Sequence, residues 1–363
     1  MDAPLLHMTS PAEWRAALAV GAIHPTVAEF VHLSTAEQVA LPANRLHAAE
    51  RDVYLLAVDP GRVGVPVAWE PGVPSDPASL RFPHAYGPVP TAAVLAVLAY
   101  RPDQDGVFGA PRLPPLTEAS RAALALPSML RRAATSESPV AGGVAIRTDP
   151  VPYSYQHNAL LIDTAVETDE LIAEADRALD GLDHRAVQLF GEALAATAAD
   201  LAARGWEVGE QIGMIARPTG SSTGRVEQLD LDALRPFWDV MWRADLPHAS
   251  DAARAQLSQR YLREEPVVDL RYLAVRENGE VVAAALLKID GATAVLDALG
   301  TGEAHRGRGH GDALVTEALA LAAAAGCDVL GLDADAGDWP RQWYARRGFT
   351  EASRSWFATT SPG

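Results

Sequence analysis

The chain has 363 residues, 48 % of them hydrophobic, with a formal net charge of −17 and a single cysteine. That length exceeds one ordinary core and predicts two or three domains, while the apolar fraction excludes a disordered chain. One thiol excludes internal disulfides and a cysteine-based zinc site, and the acidic balance argues against nucleic acid and for a cationic partner. No run approaches the roughly 20 apolar residues of a membrane helix. The stretch from Met1 to Trp14 carries acids where a leader would be basic and apolar, so a cytoplasmic protein with no membrane partner is expected.

Residues 1–110 form a first unit with β-like runs such as Val53 to Val58, closed by Asp59-Pro60-Gly61. Polar clusters recur among apolar and aromatic neighbours: His7 and Thr9, then His32, Ser34 and Thr35, then Glu70, then His84 and Tyr86. Such clusters can line a ligand pocket. In it His32, Ser34 and Thr35 would hold a phosphate or ribose, and His7 and His84 would hydrogen-bond a base or move protons. The alternative is a scaffold whose histidines satisfy buried polar groups. No ligand spacing supports a metal, and none is expected.

A proline-punctuated connector, 111–135, continues as a helix through Arg132. A second unit, 136–218, leads into a small polar linker, Arg217 to Gly224, and a third spans 225–363. The two units look alike. Leu201 to Glu207 aligns with Tyr344 to Thr350, each a helix end, a glycine and an aromatic opening a strand.

The most informative segment runs from Val295 to Leu314: a strand, a glycine-dense turn, then an amphipathic helix expected from Asp312 to Ala325. The turn suits a pyrophosphate. The first amides of a helix have no intrahelical partner and its dipole favours an anion. Gly307, Gly309 and Gly311 allow close approach to the backbone, and Arg306 and Arg308 supply charged donors. His310 and Asp312 complete the turn and the first helical residues. A P-loop would need Lys and Ser/Thr after the last glycine, where Asp312-Ala313 stands, and the glycine spacing is not that of a dinucleotide fold.

Arg306, Gly309 and Gly311 reproduce the Arg-x-x-Gly-x-Gly pattern, and Tyr344 to Phe349 the Tyr-x-x-x-Gly-Phe segment. Over roughly residues 226–360 the chain resembles the GCN5-related N-acetyltransferases (GNAT). The resemblance implies acetyl-CoA as acyl donor, a small-molecule primary amine as acceptor, and an acyltransferase reaction. It places backbone contacts to the acetyl and pantetheine groups at Leu299 and Thr301 and makes Tyr344 the acid for the departing thiolate. Asp297, set by strand alternation on the face of Leu299 and Thr301, is the candidate base, with Glu303 second. Gly337 stands where family members often carry an asparagine. The second unit lacks the glycine turn and has Leu201 in place of Tyr344. As a degenerate copy it would shape the amine pocket, similar to tandem acetyltransferases such as mycothiol synthase.

The order of the N-terminal clusters, with Trp14, resembles the DUF952 family, whose members are similar in fold to ADP-ribosyltransferases. The expected architecture is thus α+β multidomain: an ADP-ribosyltransferase-like domain followed by two GNAT-like α/β domains, each a mixed sheet flanked by helices. Two competing functions remain: an acetyl-CoA-binding regulatory module without turnover, and nucleotide or NAD-related chemistry on the first domain.

Overall fold

In a computed structural model describing residues 3–26, 29–48, 50–73 and 76–361, the first unit begins with β1 (Leu5–Thr9), α1 (Pro11–Val20), β2 (Ala22–Ile23), β3 (Val31–His32) and α2 (Ala40–Leu46). It continues through β4 (Val53–Val58), β5 (Val67–Pro71), β6 (Arg81–Ala85), β7 (Val89–Pro90) and β8 (Val94–Tyr100). The uninterrupted apolar run of β4 marks a strand covered on both faces, and it lies buried at the centre of an antiparallel β1-β4-β8 sheet. A β3-β6-β5 sheet and a β2-β7 ribbon complete the unit. A capping box starts α1: the Glu13 amide donates to Ser10 Oγ, and the Ser10 amide donates back to the Glu13 carboxylate.

The connector helix α3 (Glu118–Ala133) ends before β9 (Ser136–Val140), β10 (Gly143–Arg147), β11 (Ala159–Ile162), α4 (Thr168–Ala178), β12 (Arg185–Phe190), α5 (Ala195–Ala203) and β13 (Glu207–Ala216). The third unit opens with β14 (Glu227–Leu229), α6 (Leu231–Asp245), α7 (Asp251–Gln259), β15 (Asp269–Glu277) and β16 (Glu280–Asp290). It closes with β17 (Thr293–Thr301), α8 (His310–Ala324), β18 (Val329–Asp335), α9 (Pro340–Ala345) and β19 (Thr350–Thr360). All strands from β9 onward join one sheet, in the order β14-β15-β16-β17-β18-β13-β19-β12-β11-β10-β9. The expected mixed sheet with flanking helices is present, but as one continuous sheet and not one per unit. Each unit gives its last strand to the other: β13 lies between β18 and β19, and β19 between β13 and β12. The parallel pairs β17-β18 and β11-β12 are each bridged by a helix, α8 and α4, so the order reads alike from either edge towards the central β13-β19 pair. The polar stretch between the units is irregular and mostly exposed. Among the described residues no helix is long and apolar enough to cross a membrane.

The first unit packs on one face of this sheet through a core shared with α3 and α6. Two carboxylates of the third unit anchor it. Asp290, at the end of β16, accepts the indole N–H of fully buried Trp14 at 2.9 Å and pairs with Arg132 of α3. Asp328, just before β18, takes Arg121 at 2.8 Å and Arg62 at 2.5 Å. The turn after β16 also docks on β8: the Ala292 amide donates to Val94, and a Cβ on Gly291 (φ +74°) would lie 2.4 Å from the Val94 carbonyl. Trp14→Phe keeps the ring packing and removes one donor from a buried carboxylate. It is expected to lower stability by about 1–3 kcal/mol in urea denaturation.

Candidate active site

The glycine turn forms as the sequence predicts, with α8 starting at His310, two residues earlier than expected. Gly307 and Gly309 take φ +76° and +77°, a region that favours glycine, and Gly309 is the N-cap with no side-chain cap. The first-turn amides of α8 are therefore left to meet an anion. Arg306 and Arg308 are exposed beside them, Arg306 Nε lying 3.4 Å from the Thr301 carbonyl. Asp312 does not oppose an anion there, because Arg347 pairs with it while stacking on Trp343, 3.9 Å from the ring centroid.

The turn is braced from β15. The Glu277 carboxylate receives Arg308 at 2.9 Å and His305 Nδ1 at 2.9 Å, and faces the buried His310 Nε2 at 3.1 Å. Those three basic groups hold Glu277 below the usual carboxylate range, the His305 hydrogen bond most of all. Glu277, His305 and His310 present ligand atoms within 4.8 Å of one another, though Arg308 already occupies that carboxylate.

Next to the turn the sheet opens. β17 and β18 are paired only at Thr293↔Val329, Ala294↔Leu330 and Val295↔Gly331, yet β17 runs on to Thr301 and β18 to Asp335. Their facing edges beyond that point lack a ladder partner, including the backbone at Leu299 and Thr301. Tyr344, on α9, is buried in the core on the α8 side of the opening. Burial, with the nearby Asp297 charge, pushes its phenol up to about 12, so it stays protonated at neutral pH. Gly337 lies in the turn after β18, its amide donating to Asp335 Oδ1 at 2.8 Å.

Strand alternation misplaces Asp297. The ladder with β16 shifts between Ala284 and Leu286, and opposite that shift Ala298 adopts φ +49°. This bulge inserts one residue and reverses the faces beyond it. Leu299 packs with the α8-side core, whereas Asp297 faces the opposite side with Val295. Nor is Asp297 a free carboxylate. It meets Lys288 Nζ at 2.7 Å, Lys288 meets Glu264 at 2.5 Å, and Glu264 meets His157 of the second unit at 3.3 Å. Lys288, Glu264 and His157 have fully buried side chains. Lys288 donates a hydrogen bond to Asp297 and pairs with Glu264 by charge, while burial lowers the His157 pKa. Burial pushes Asp297 and Glu264 up, but Lys288 outweighs it and keeps both ionised. Glu303 sits exposed in the short turn after β17 and does not line the cavity on the Asp297 side.

On the Asp297 side lies a cavity of about 1160 Å³. Its floor is β17, β18, β13, β19 and β12; α3, α6 and α7 wall it, and Tyr153, Tyr155 and His184 of the second unit close one end. Asp333 of β18 projects into it, water-accessible yet enclosed by the walls. Loss of bulk hydration, then the Asp297 charge, raise its pKa to about 6. Asp333 was not among the residues the sequence singled out. The available signal was the period: Leu330 and Leu332 face the α8 core, which leaves Gly331 and Asp333 on the other side.

In the first unit the structure gathers most of the candidate pocket. His84 stacks on Phe30 with centroids 3.9 Å apart, approaches Glu70 at 3.2 Å, and meets His32 edge-on at 5.0 Å. Tyr86 donates to Glu70 at 2.7 Å. His7 Nδ1 is hydrogen-bonded to the His32 carbonyl at 2.8 Å, and Ser34 bridges to Leu6 beside it, with Thr35 following. Thr9 does not join them; its hydroxyl donates to Glu13 in the α1 cap.

Residues 8–97 match a family described as a protein of unknown function (DUF952), and residues 231–349 match the acetyltransferase (GNAT) family. A functionally unknown conserved protein from Staphylococcus epidermidis is similar in structure at a TM-score of 0.50 and 13 % identity, over 63 % of this chain and 94 % of that one. A GCN5-related N-acetyltransferase from Kribbella flavida matches at 0.46 and 18 %, over 68 % and 96 %. A Caulobacter crescentus protein matches at 0.26 and 29 %, over 29 % and 92 %. No protein of curated function matches the chain. The chain therefore joins an N-terminal DUF952 domain, residues 8–97, to a domain of the GNAT acetyltransferase family, residues 231–349.

Proposed function

We propose that the chain transfers the acetyl group of acetyl-CoA to a primary amine of a small molecule. The observation that carries this is the opening of the β17-β18 ladder beyond Val295↔Gly331, set between the glycine turn and the Tyr344 phenol. Acetyl-CoA supplies an activated thioester. The α8 amides with Arg306 and Arg308 hold its pyrophosphate, and the unpaired backbone at Leu299 and Thr301 orients the acetyl arm. The acceptor reaches the opening from the cavity on the opposite face. As the C–N bond forms and the C–S bond breaks, the Tyr344 hydroxyl donates a hydrogen bond to the sulfur, which leaves as thiolate, and Asp333 takes the proton lost by nitrogen. Asp297, held ionised by Lys288, supplies fixed negative charge beside the amine.

The second unit serves this reaction as a degenerate copy that walls the acceptor cavity. Its glycines and the third unit's match where the helices end, Gly205 at φ +89° and Gly348 at φ +87°. Its counterpart of α8 cannot take the phosphates, because α4 opens with Glu167 at the N-cap and Asp169 and Glu170 in the first turn.

Thermal unfolding with acetyl-CoA tests the reading. Saturating ligand is expected to raise Tm in wild type, by the free energy RT ln(1 + [L]/Kd), and to leave Gly309→Trp unshifted. Absence of a shift in wild type at millimolar acetyl-CoA would sink the proposal.

A further inference from the structure

The acceptor cavity is unevenly charged. Asp297 is matched by Lys288 and by Arg260, whose guanidinium lies over the Trp242 ring at 5.0 Å. Arg354 is engaged by Glu210 at 3.0 Å and Glu192 at 3.6 Å, and Asp183 sits on the exposed rim beside His184. On the sheet floor Asp333 has no ion-pair or hydrogen-bond partner among the described residues, as Asp183 has none on the rim, and its one charged influence is the like charge of Asp297. Open to water inside the cavity and without a counter-ion, this carboxylate is free to receive a ligand's cation.

The floor beside it is polar. Asp333 is in register with Gly213 of β13, whose missing side chain makes room for the Ser353 hydroxyl: a Cβ built there would lie 2.0 Å from Ser353 Oγ and 3.5 Å from Asp333 Oδ1. Away from Asp333 the walls turn apolar and aromatic. Trp242 and Leu246 line one side, and at the far end Tyr155 stacks on His184 with centroids 3.9 Å apart. Burial lowers the His184 pKa, so that ring offers an uncharged face at neutral pH.

We propose that this cavity receives an amphiphilic monocation: an ammonium head paired with Asp333 and an apolar, ring-sized body lying against the Tyr155–His184 stack. The proposal deepens the transferase reading and rests on it only for the ammonium being the group acetylated. A polyamine is the weaker fit, since it has no apolar body for the Tyr155–His184 stack and only the exposed rim carboxylate of Asp183 for its second charge. A carboxylate-bearing acceptor is disfavoured because its anion would lie near Asp333 and Asp297.

The test is calorimetric titration of the full chain, without acetyl-CoA, using 4-phenylbutylamine, spermidine and 4-phenylbutyrate. Phenylbutylamine is expected to bind at least about tenfold more tightly than phenylbutyrate, the effect of one charge-assisted pair, and several-fold more tightly than spermidine, which lacks the ring. Asp333→Asn is expected to weaken it about tenfold while leaving the acetyl-CoA thermal shift intact, and Tyr155→Ala to weaken it several-fold. Asp333→Asn also relieves a carboxylate whose folded pKa is raised, so its Tm is expected to exceed wild type at pH 8 and to converge with it near pH 4. That convergence shows the variant is folded. Equal affinity for spermidine, unaltered binding by Asp333→Asn, or no binding of phenylbutylamine would each overturn the proposal. The acetyl-CoA shift judges the transferase reading separately: amine binding without that shift keeps the cavity assignment and removes the reaction.

Discussion

Lys288→Met is expected to destabilise the protein by about 3–5 kcal/mol, towards the lower end because Arg260 offsets part of the charge left behind. Lys288 is fully buried between Glu264 and Asp297, and methionine fills much the same volume, so the loss is one of charge and not of packing. Two carboxylates would then share a site with no counter-ion between them, and each would resist ionisation. The pH dependence identifies the cause. In wild type both acids are held below their ordinary values, so their stabilising contribution is full at neutral pH and is lost as pH falls through those depressed values. In the variant both values rise, and acid relieves the repulsion. The gap between variant and wild type in guanidinium denaturation is therefore expected to be widest at pH 8 and to narrow towards pH 5. Combining Lys288→Met with Glu264→Gln and Asp297→Asn removes every member of the buried set and is expected to recover most of the loss. A deficit under 1 kcal/mol for Lys288→Met alone would mean that water or another cation compensates the pair.

This chain of charges also shows where sequence reading stops. The turn from Arg306 to Gly311 was legible because its physics is local: glycines at positive φ, an uncapped helix start and adjacent cations lie within a few residues. Tyr344 was legible for the same reason, through a short helix followed by a turn with Gly348 and then Phe349. Asp297 was misread because alternation holds only along a regular ladder, and the bulge at Ala298 is set by pairing with β16. Lys288 stands in an apolar strand and Glu264 among other charges, between Arg263 and Glu265, and neither position names its partner, which is chosen by the tertiary fold. The exchange of β13 and β19 is likewise non-local. An alternating strand fits any sheet edge of the right period, and nothing in Glu207 to Ala216 names β18 as its neighbour. Trp14 was singled out for a resemblance, but its partner Asp290 lies 276 residues away.

Tyr344→Phe is expected to lower kcat about 100-fold while leaving the acetyl-CoA thermal shift unchanged. The phenol is poised by its surroundings: burial and the Asp297 charge push it up to about 12, so the proton is in place across the working range. The same shift limits it. A thiol has a pKa of about 8.5, and a phenol well above that cannot fully protonate a free thiolate. Its contribution must come while the C–S bond is breaking, as a hydrogen bond that strengthens with charge on sulfur, which places the effect near the low end for a general acid. Two pH signatures follow. No alkaline fall in kcat from Tyr344 is expected below about pH 11, whereas kcat/KM should fall on the acid side as Asp333, near 6, takes up its proton. Phenylalanine keeps the ring packed against Phe349 and Trp343, so the variant isolates the hydroxyl. If kcat is unchanged in Tyr344→Phe, the leaving sulfur is served by solvent, and the buried phenol is a packing group of the α8-side core.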